Sequence, residues 1–331
     1  MGVLKNCIKK KVVNSVPVWF MRQAGRYLPE FRAIRSKNTN FIELCLNSEL
    51  SMEITLQPLK RYQLDAAIIF SDILFIPYAL GQGVVFEKNF GPRLGDFDLN
   101  DVLKISDDEI IRKLQPIYKL INITSKNTKL FGKDLIGFVG ATWTIMVYML
   151  NKKSPKNLNE KIYTYPNEDM LIRKIINTQK IHIKNQVENG ASIIQIFDSW
   201  AGLLNRDKYE KYIYKPTQEL VNYTKSLGVE VICFPRSINS YLEYCNEIKP
   251  DAISIGYEAD PLEIAKKINI PIQGGMNPQI LLTDKENLRK EAKRYLDIFK
   301  DHPYIFNLGH GVLPETDPSM IDYLVKTVKD Y

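Results

Sequence analysis

Eight short apolar runs recur along the chain with helical patterns between most of them, and this alternation leaves few folds open. The runs are "VPVWFM" (16–21), "AAIIF" (66–70), "LIGFV" (135–139), "SIIQIF" (192–197), "VEVICF" (229–234), "AISI" (252–255), "IPIQG" (270–274) and "YIFNL" (304–308). Helical periodicity fills 48–62, 169–190, 207–228 and 284–300, with Gly190 and Gly228 standing where helix C-caps belong. Strands alternating with helices call for a parallel sheet with helical crossovers. Eight of them in 331 residues predict an α/β fold, a (β/α)8 TIM barrel formed by one domain over residues 1–331. The stretch 81–134 is the longest insertion. It falls between the second and third strands, and "GQGVVFEKNFGPRL" within it reads as a hairpin.

A barrel places its chemistry just after the strands, at their carboxyl ends. After the first run the chain sets Arg22, Arg26, Arg32 and Arg35 within fourteen residues, opposed only by Glu30. Arg22 and Arg26 are four apart and flank Gln23, Ala24 and Gly25. On one helix or turn face, two planar guanidiniums suit bidentate capture of carboxylates or phosphates. Gly25 lets the backbone approach a ligand. The bland alternative is that these arginines tie loops together or face water.

Other strand ends carry polar groups with two readings each. Asp72 follows the most apolar run and serves either as a turn cap or as an acid in the cavity of the arginines. Tyr148 and Trp143 lie in "ATWTIMVYML", where a core role is the simpler reading. Asp198 and Ser199 follow the fourth run, and no G-x-S-x-G elbow marks Ser199 as a nucleophile. His310 sits between glycines after the last run, as a structural or an acid–base group. His182 and His302 read as surface residues on or near helices.

Several classes drop out. Cys7, Cys45, Cys233 and Cys245 form no CxxC or His-x-Cys spacing, and three histidines complete the soft ligands, so neither a metal site nor a disulfide framework is expected. No G-x-x-x-x-G-K-[ST] or strand-linked G-x-G-x-x-G supports a nucleotide cofactor. The net charge of +7 is spread along the chain, which suits an anionic small molecule and not a nucleic-acid patch. The N-terminal stretch lacks an apolar signal region, and no run spans a bilayer. The expectation is a soluble cytoplasmic protein with no membrane partner.

"PVWFMRQAGRYLPEFR" resembles the N-terminal signature of uroporphyrinogen decarboxylases, and "IGFVGATWTIMVYML" resembles their second signature. "IIFSDIL", "QIFDSWAG" and "FNLGHGVLPETDP" match further family segments in order. The resemblance implies a homodimeric barrel without metal or organic cofactor that converts uroporphyrinogen III to coproporphyrinogen III. It implies that Arg22, Gln23, Ala24, Gly25 and Arg26 form the substrate-binding segment, with Arg22 and Arg26 on carboxylates. Asp72 would hold the pyrrole N–H groups and stabilise a cationic intermediate. Tyr148, Ser199 and His310 would complete the contacts.

The chain departs from the family where Thr142 replaces a usual Pro, where Ser237 and Ile238 replace a Gly-containing turn, where Gly256 and Tyr257 replace Asp-Trp, and where Asn277 replaces Asp. Two rivals share the barrel. A corrinoid-linked methyltransferase would use a zinc-bound thiolate, for which His-x-Cys spacing is missing. A non-catalytic tetrapyrrole binder would bind without releasing CO2.

Overall fold

The computed structural model describes residues 2–10, 15–87, 90–156, 162–163 and 165–331. Its centre is a seven-stranded parallel sheet. The strands are β1 (Ala66–Ile68), β4 (Asp134–Gly140), β5 (Ile193–Asp198), β6 (Glu230–Pro235), β7 (Ala252–Ile255), β8 (Ile272–Gly274) and β9 (Tyr304–Ile305), in that spatial order. Separate from it, β2 (Val84–Glu87) pairs antiparallel with β3 (Gly91–Leu94). This is the expected hairpin, although positions 88 and 89 lie outside the described residues.

The sheet strands are apolar because helices cover one face and the curled interior fills the other. Every residue of β4, β6, β7 and β9 is buried. Register follows neighbour by neighbour: Ile136 of β4 pairs with Ile193 of β5, and Ile253 of β7 with Ile272 of β8. Helices Ser48–Arg61, Asp107–Ser125 and Glu168–Glu188 pack side by side outside. Helix Thr142–Asn151 is buried almost throughout, which explains its apolar sequence.

The first expected strand is a correction. Residues 16–21 form no ladder, only one parallel bridge between Val18 and Phe306. Pro17 has no N–H to donate, and the Val18 N–H goes to the Asp65 carboxylate at 2.7 Å instead of to a strand. The segment still bonds on both sides. Phe306 N–H donates to Pro17 O at 2.8 Å, and Asp65 N–H to Val18 O at 2.9 Å. It therefore lies between β9 and β1, the two outer strands of the sheet.

The helix expected over 207–228 is also broken. It runs as a 3-10 turn at Arg206–Lys208, a π-helical turn at Glu210–Tyr214 and an α-helix at Lys215–Ser226. Pro216 has no N–H for the carbonyl four residues back, so a uniform α-helix would leave that group unpaired. Gly190 and Gly228 end their helices at φ of 116° and 77°, in the left-handed region that favours glycine.

The sheet interior is polar at its centre. Trp19 Nε1 donates to Gln273 Oε1 at 2.9 Å, and Gln273 Nε2 reaches Gln195 Oε1 and Ser254 Oγ at 3.2 Å each. All four residues are fully buried. Helix Val3–Lys10 covers the amino ends of the strands. Lys5 and Lys9 both lie 3.2 Å from Glu230 at the start of β6, and Lys5 N–H bonds Asp134 at the start of β4.

Candidate active site

The turn after Met21 is held from beneath by Gln23. Its Oε1 accepts from Phe20 N–H at 3.0 Å and its Nε2 donates to Ala66 O at 3.1 Å, with the side chain fully buried. Gln23 thus belongs to the scaffold of the expected binding segment, and both ends of its amide are occupied. The turn leaves Arg22 at φ 60°, left-handed for a residue with a side chain, a strained state that packing sustains. The N–H groups of Ala24, Gly25 and Arg26 have no acceptor among the described residues, which leaves them free for an anion.

The four arginines divide into two pairs. Arg32 donates to the carbonyls of Arg26 (2.8 Å) and Tyr27 (2.9 Å) and so braces the turn. Arg35 bonds Asn38 O and lies over the Phe41 ring, 5.9 Å from its centroid. Arg22 and Arg26 have no ion-pair partner and no side-chain hydrogen bond among the described residues.

Arg22 is reached by solvent yet walled by protein. Burial lowers its pKa, Arg26 and Arg236 push the same way, and Asp72 and Tyr148 oppose them. Four further side chains thus act on the charge of one guanidinium. Asp72 caps its own turn, accepting Leu74 N–H at 2.9 Å on Oδ1. The turn-cap reading of this residue therefore holds, and its carboxylate also acts on Arg22. Burial raises its carboxyl to about 6, against the pull of the Leu74 N–H and Arg22.

Tyr148 is buried on helix Thr142–Asn151, its ring edge-on to Trp200 at 5.7 Å and its hydroxyl 3.4 Å from Ser154 Oγ. Burial, with Asp72 nearby, raises its pKa. Trp143 is core, as expected, donating from Nε1 to Trp200 O at 3.1 Å.

His310 is half-buried. Gly311 N–H donates to its Nδ1 at 2.8 Å, so the neutral ring carries its proton on Nε2. Burial, then Arg22 and Arg236, lower its pKa to about 4. It is a hydrogen-bond donor at neutral pH, and not an imidazolium acid.

Ser199 follows β5, half-buried, and its hydroxyl has no hydrogen bond among the described residues. Its neighbour Asp198 is fully buried and accepts the Thr144 hydroxyl at 2.6 Å on Oδ1. Burial raises Asp198 to about 7. The sequence did not single out Arg236, although it stands in the loop after the β6 run as Arg22 does after the first. His182 corrects a surface assignment: it is buried against Tyr118, 3.3 Å from its hydroxyl, and desolvation lowers its pKa to about 3. His302 is half-buried, with Nε2 2.7 Å from Ile268 O.

The departures from the family pattern are accommodated locally. Thr142 opens its helix and donates to Gln179 Oε1 at 2.8 Å. Asn277 accepts Gln279 N–H at 3.0 Å, the capping role an Asp would play. Gly256 N–H bonds the Tyr241 hydroxyl at 2.9 Å. Ser237 takes a left-handed φ of 56°, and its N–H bonds Glu258 at 2.8 Å. Among the described residues no group of three His, Cys, Asp or Glu side chains is placed to hold a metal ion.

The curled parallel α/β sheet, with Arg22 unpaired among the described residues and Asp72 acting on it, places the chain in the class of α/β enzymes built on such a sheet. Within that class, the chain belongs to the uroporphyrinogen decarboxylase family, whose model matches residues 3–331. It is 39% identical to uroporphyrinogen decarboxylase of Rickettsia bellii, covering 97% of both chains. It is 42% identical to that of Wolbachia pipientis, covering 96% of this chain and 94% of the relative. A methyltransferase from Methanosarcina mazei shares the fold at a TM-score of 0.78 and 16% identity, covering 99% of this chain and 97% of the other. That likeness concerns the fold alone.

Proposed function

We propose that the chain removes the four acetate carboxylates of uroporphyrinogen III as CO2 and yields coproporphyrinogen III, without a cofactor. The observation that carries this reading is the unpartnered Arg22 acted on by the half-buried Asp72, with the unpartnered Arg26 beside it in the same turn. The family membership and the name of the relatives above support the substrate.

In the proposed reaction a ring carbon of the pyrrole gains a proton and the ring becomes cationic. The C–CO2 bond then breaks, and its electron pair forms an exocyclic double bond as it neutralises the ring. Protonation of that carbon to a methyl, with loss of the ring proton, completes a step that consumes one proton per CO2. Asp72 holds the pyrrole N–H groups and stabilises the cation, a contribution worth several kcal/mol in such preorganised sites. Arg22 and Arg26 hold carboxylates, and the free N–H groups at 24–26 add donors. His310 offers Nε2–H, while Tyr148 and Ser199 contribute hydroxyls. His310, unprotonated at neutral pH, does not serve as the acid.

The same proposal takes the chain as one domain forming a closed (β/α)8 barrel, with 81–134 inserted between its second and third strands. The hydrogen bonds of residues 17–19 to both outer strands support closure. A cytoplasmic homodimer completes it, by family resemblance. No helix among the described residues is long and apolar enough to cross a membrane. The test is anaerobic incubation of the purified protein with uroporphyrinogen III and no added cofactor. Release of CO2 with coproporphyrinogen is the expected result, and binding without release would overturn the catalytic reading.

A further inference from the structure

Arg236 lies at the carboxyl end of β6, beyond a register pair in which Asp198 of β5 faces Pro235. The next residue on each strand is Ser199 and Arg236, so the two stand side by side at the same edge. The backbone there is pinned on three sides. Arg236 N–H donates to Asp198 O at 3.1 Å, and Gly202 N–H donates to Arg236 O at 3.0 Å. Ser237, held left-handed, gives its N–H to Glu258. Gly202 packs so close that a Cβ there would stand 2.4 Å from Ser237 O. The turn, clamped from both neighbouring loops, fixes the backbone from which the Arg236 side chain leaves.

Arg236 is half-buried, with no ion pair and no side-chain hydrogen bond among the described residues. Glu258, one loop away, is occupied by the Ser237 N–H and lies 3.5 Å from the Tyr241 hydroxyl, and forms no ion pair with Arg236. Arg236 also acts on both Arg22 and His310, disfavouring positive charge on each. Arg26 and Arg236 both disfavour positive charge on Arg22, and Asp72 is the carboxylate that offsets that repulsion there. A ligand with several carboxylates relieves that repulsion.

We infer that Arg236 is a third carboxylate-binding residue of the site, gripping a side-chain carboxylate of the substrate on the β5–β6 side, across from the one held by Arg22 and Arg26. This rests on the decarboxylase reading, which supplies a ring with carboxylates around its whole rim. Grip at two separated points fixes the orientation of the macrocycle over Asp72, which one arginine pair on one side would leave free to rotate.

The test is steady-state kinetics on Arg236→Ala, Arg236→Met and Arg236→Lys with uroporphyrinogen III, alongside fluorescence binding of uroporphyrin, the oxidised eight-carboxylate ring. The expected result is a KM raised about tenfold or more in the Ala and Met variants, with kcat within about threefold and substantial rescue by Lys. A merely structural role would lower kcat and the thermal midpoint together and would not be rescued by charge. KM within about twofold of wild type in both Ala and Met would overturn the inference. If the wild-type protein releases no CO2, the decarboxylase reading fails by itself. Uroporphyrin binding then decides: a Kd weakened about tenfold in Arg236→Ala upholds the carboxylate grip, and an unchanged Kd removes it.

Discussion

The side chain of Arg22 lies across Gly311 so closely that a Cβ on residue 311 would stand 2.4 Å from Arg22 Cδ and 2.6 Å from Cγ. The glycine beside His310 is thus the bed on which the arginine rests. Gly311→Ala should move the guanidinium away from Asp72 while the backbone stays as it is. The expected result is a loss of about tenfold or more in kcat/KM with little change in thermal midpoint. Wild-type kcat/KM in this variant would mean that Arg22 is not needed where the structure places it.

Asp72 is a cost to the fold. Its folded pKa of about 6 lies above the 3.8 of an ordinary Asp, so the native state binds more protons than the unfolded chain between those values. Stability from this group therefore falls as pH rises from about 4 to 6, and the penalty is complete above 6. Asp72→Asn keeps an oxygen for Leu74 N–H and removes the charge. Denaturant unfolding at pH 8 should show a gain of about 1–3 kcal/mol, vanishing near pH 4, while turnover drops by about a hundredfold or more. An Asn variant no more stable than wild type at pH 8 would show that burial does not penalise this carboxylate.

The same ionisation should appear in the rate. We expect kcat/KM to fall on the acid side with a midpoint near 6, as Asp72 takes up a proton and loses the charge that faces the cationic ring. Asp198 titrates near 7 and is the rival source of such a limb. Asp198→Asn should leave the limb in place. Its disappearance in that variant would assign the limb to Asp198.

The four arginines of the opening turn can be sorted by KM. Arg26→Ala should raise KM for the eight-carboxylate substrate by about five- to tenfold, because its guanidinium has no protein partner to leave behind. Arg35→Ala should leave KM within about twofold, because that side chain is spent on Asn38 and Phe41. Equal effects of the two would contradict the division.

Gln23→Ala should act on stability. It would orphan the Phe20 N–H and the Ala66 carbonyl, both buried, at a cost of about 2–5 kcal/mol in chemical denaturation. A smaller loss would mean that water replaces the amide.

Strand and helix positions were largely legible because their cause is local. Runs such as "AAIIF" and "SIIQIF" are continuous apolar stretches that a doubly covered parallel strand requires, and the chain pairs them in sequence order. The failures have identifiable causes. The strand read at 16–21 lost its ladder to Pro17 and to a carboxylate, Asp65, forty-seven residues away. The helix read at 207–228 was divided just ahead of Pro216, between Tyr214 and Lys215. His182 looked exposed because its partner, Tyr118, belongs to another helix.

What the sequence determined by itself was the inventory and its order: parallel strands joined by helices, polar groups at the carboxyl ends, and a cluster of arginines after the first run. Spacing along a chain says which residues share an edge of a sheet. It says nothing of which carry a free charge once packed. Only the tertiary structure assigned Arg32 and Arg35 to bracing, left Arg22 and Arg26 unpaired, raised Asp72 by surrounding it with protein, and brought Arg236 from two hundred residues away to the same group. Desolvation and charge coupling depend on the atoms within a few ångströms, and those atoms come from every part of the chain.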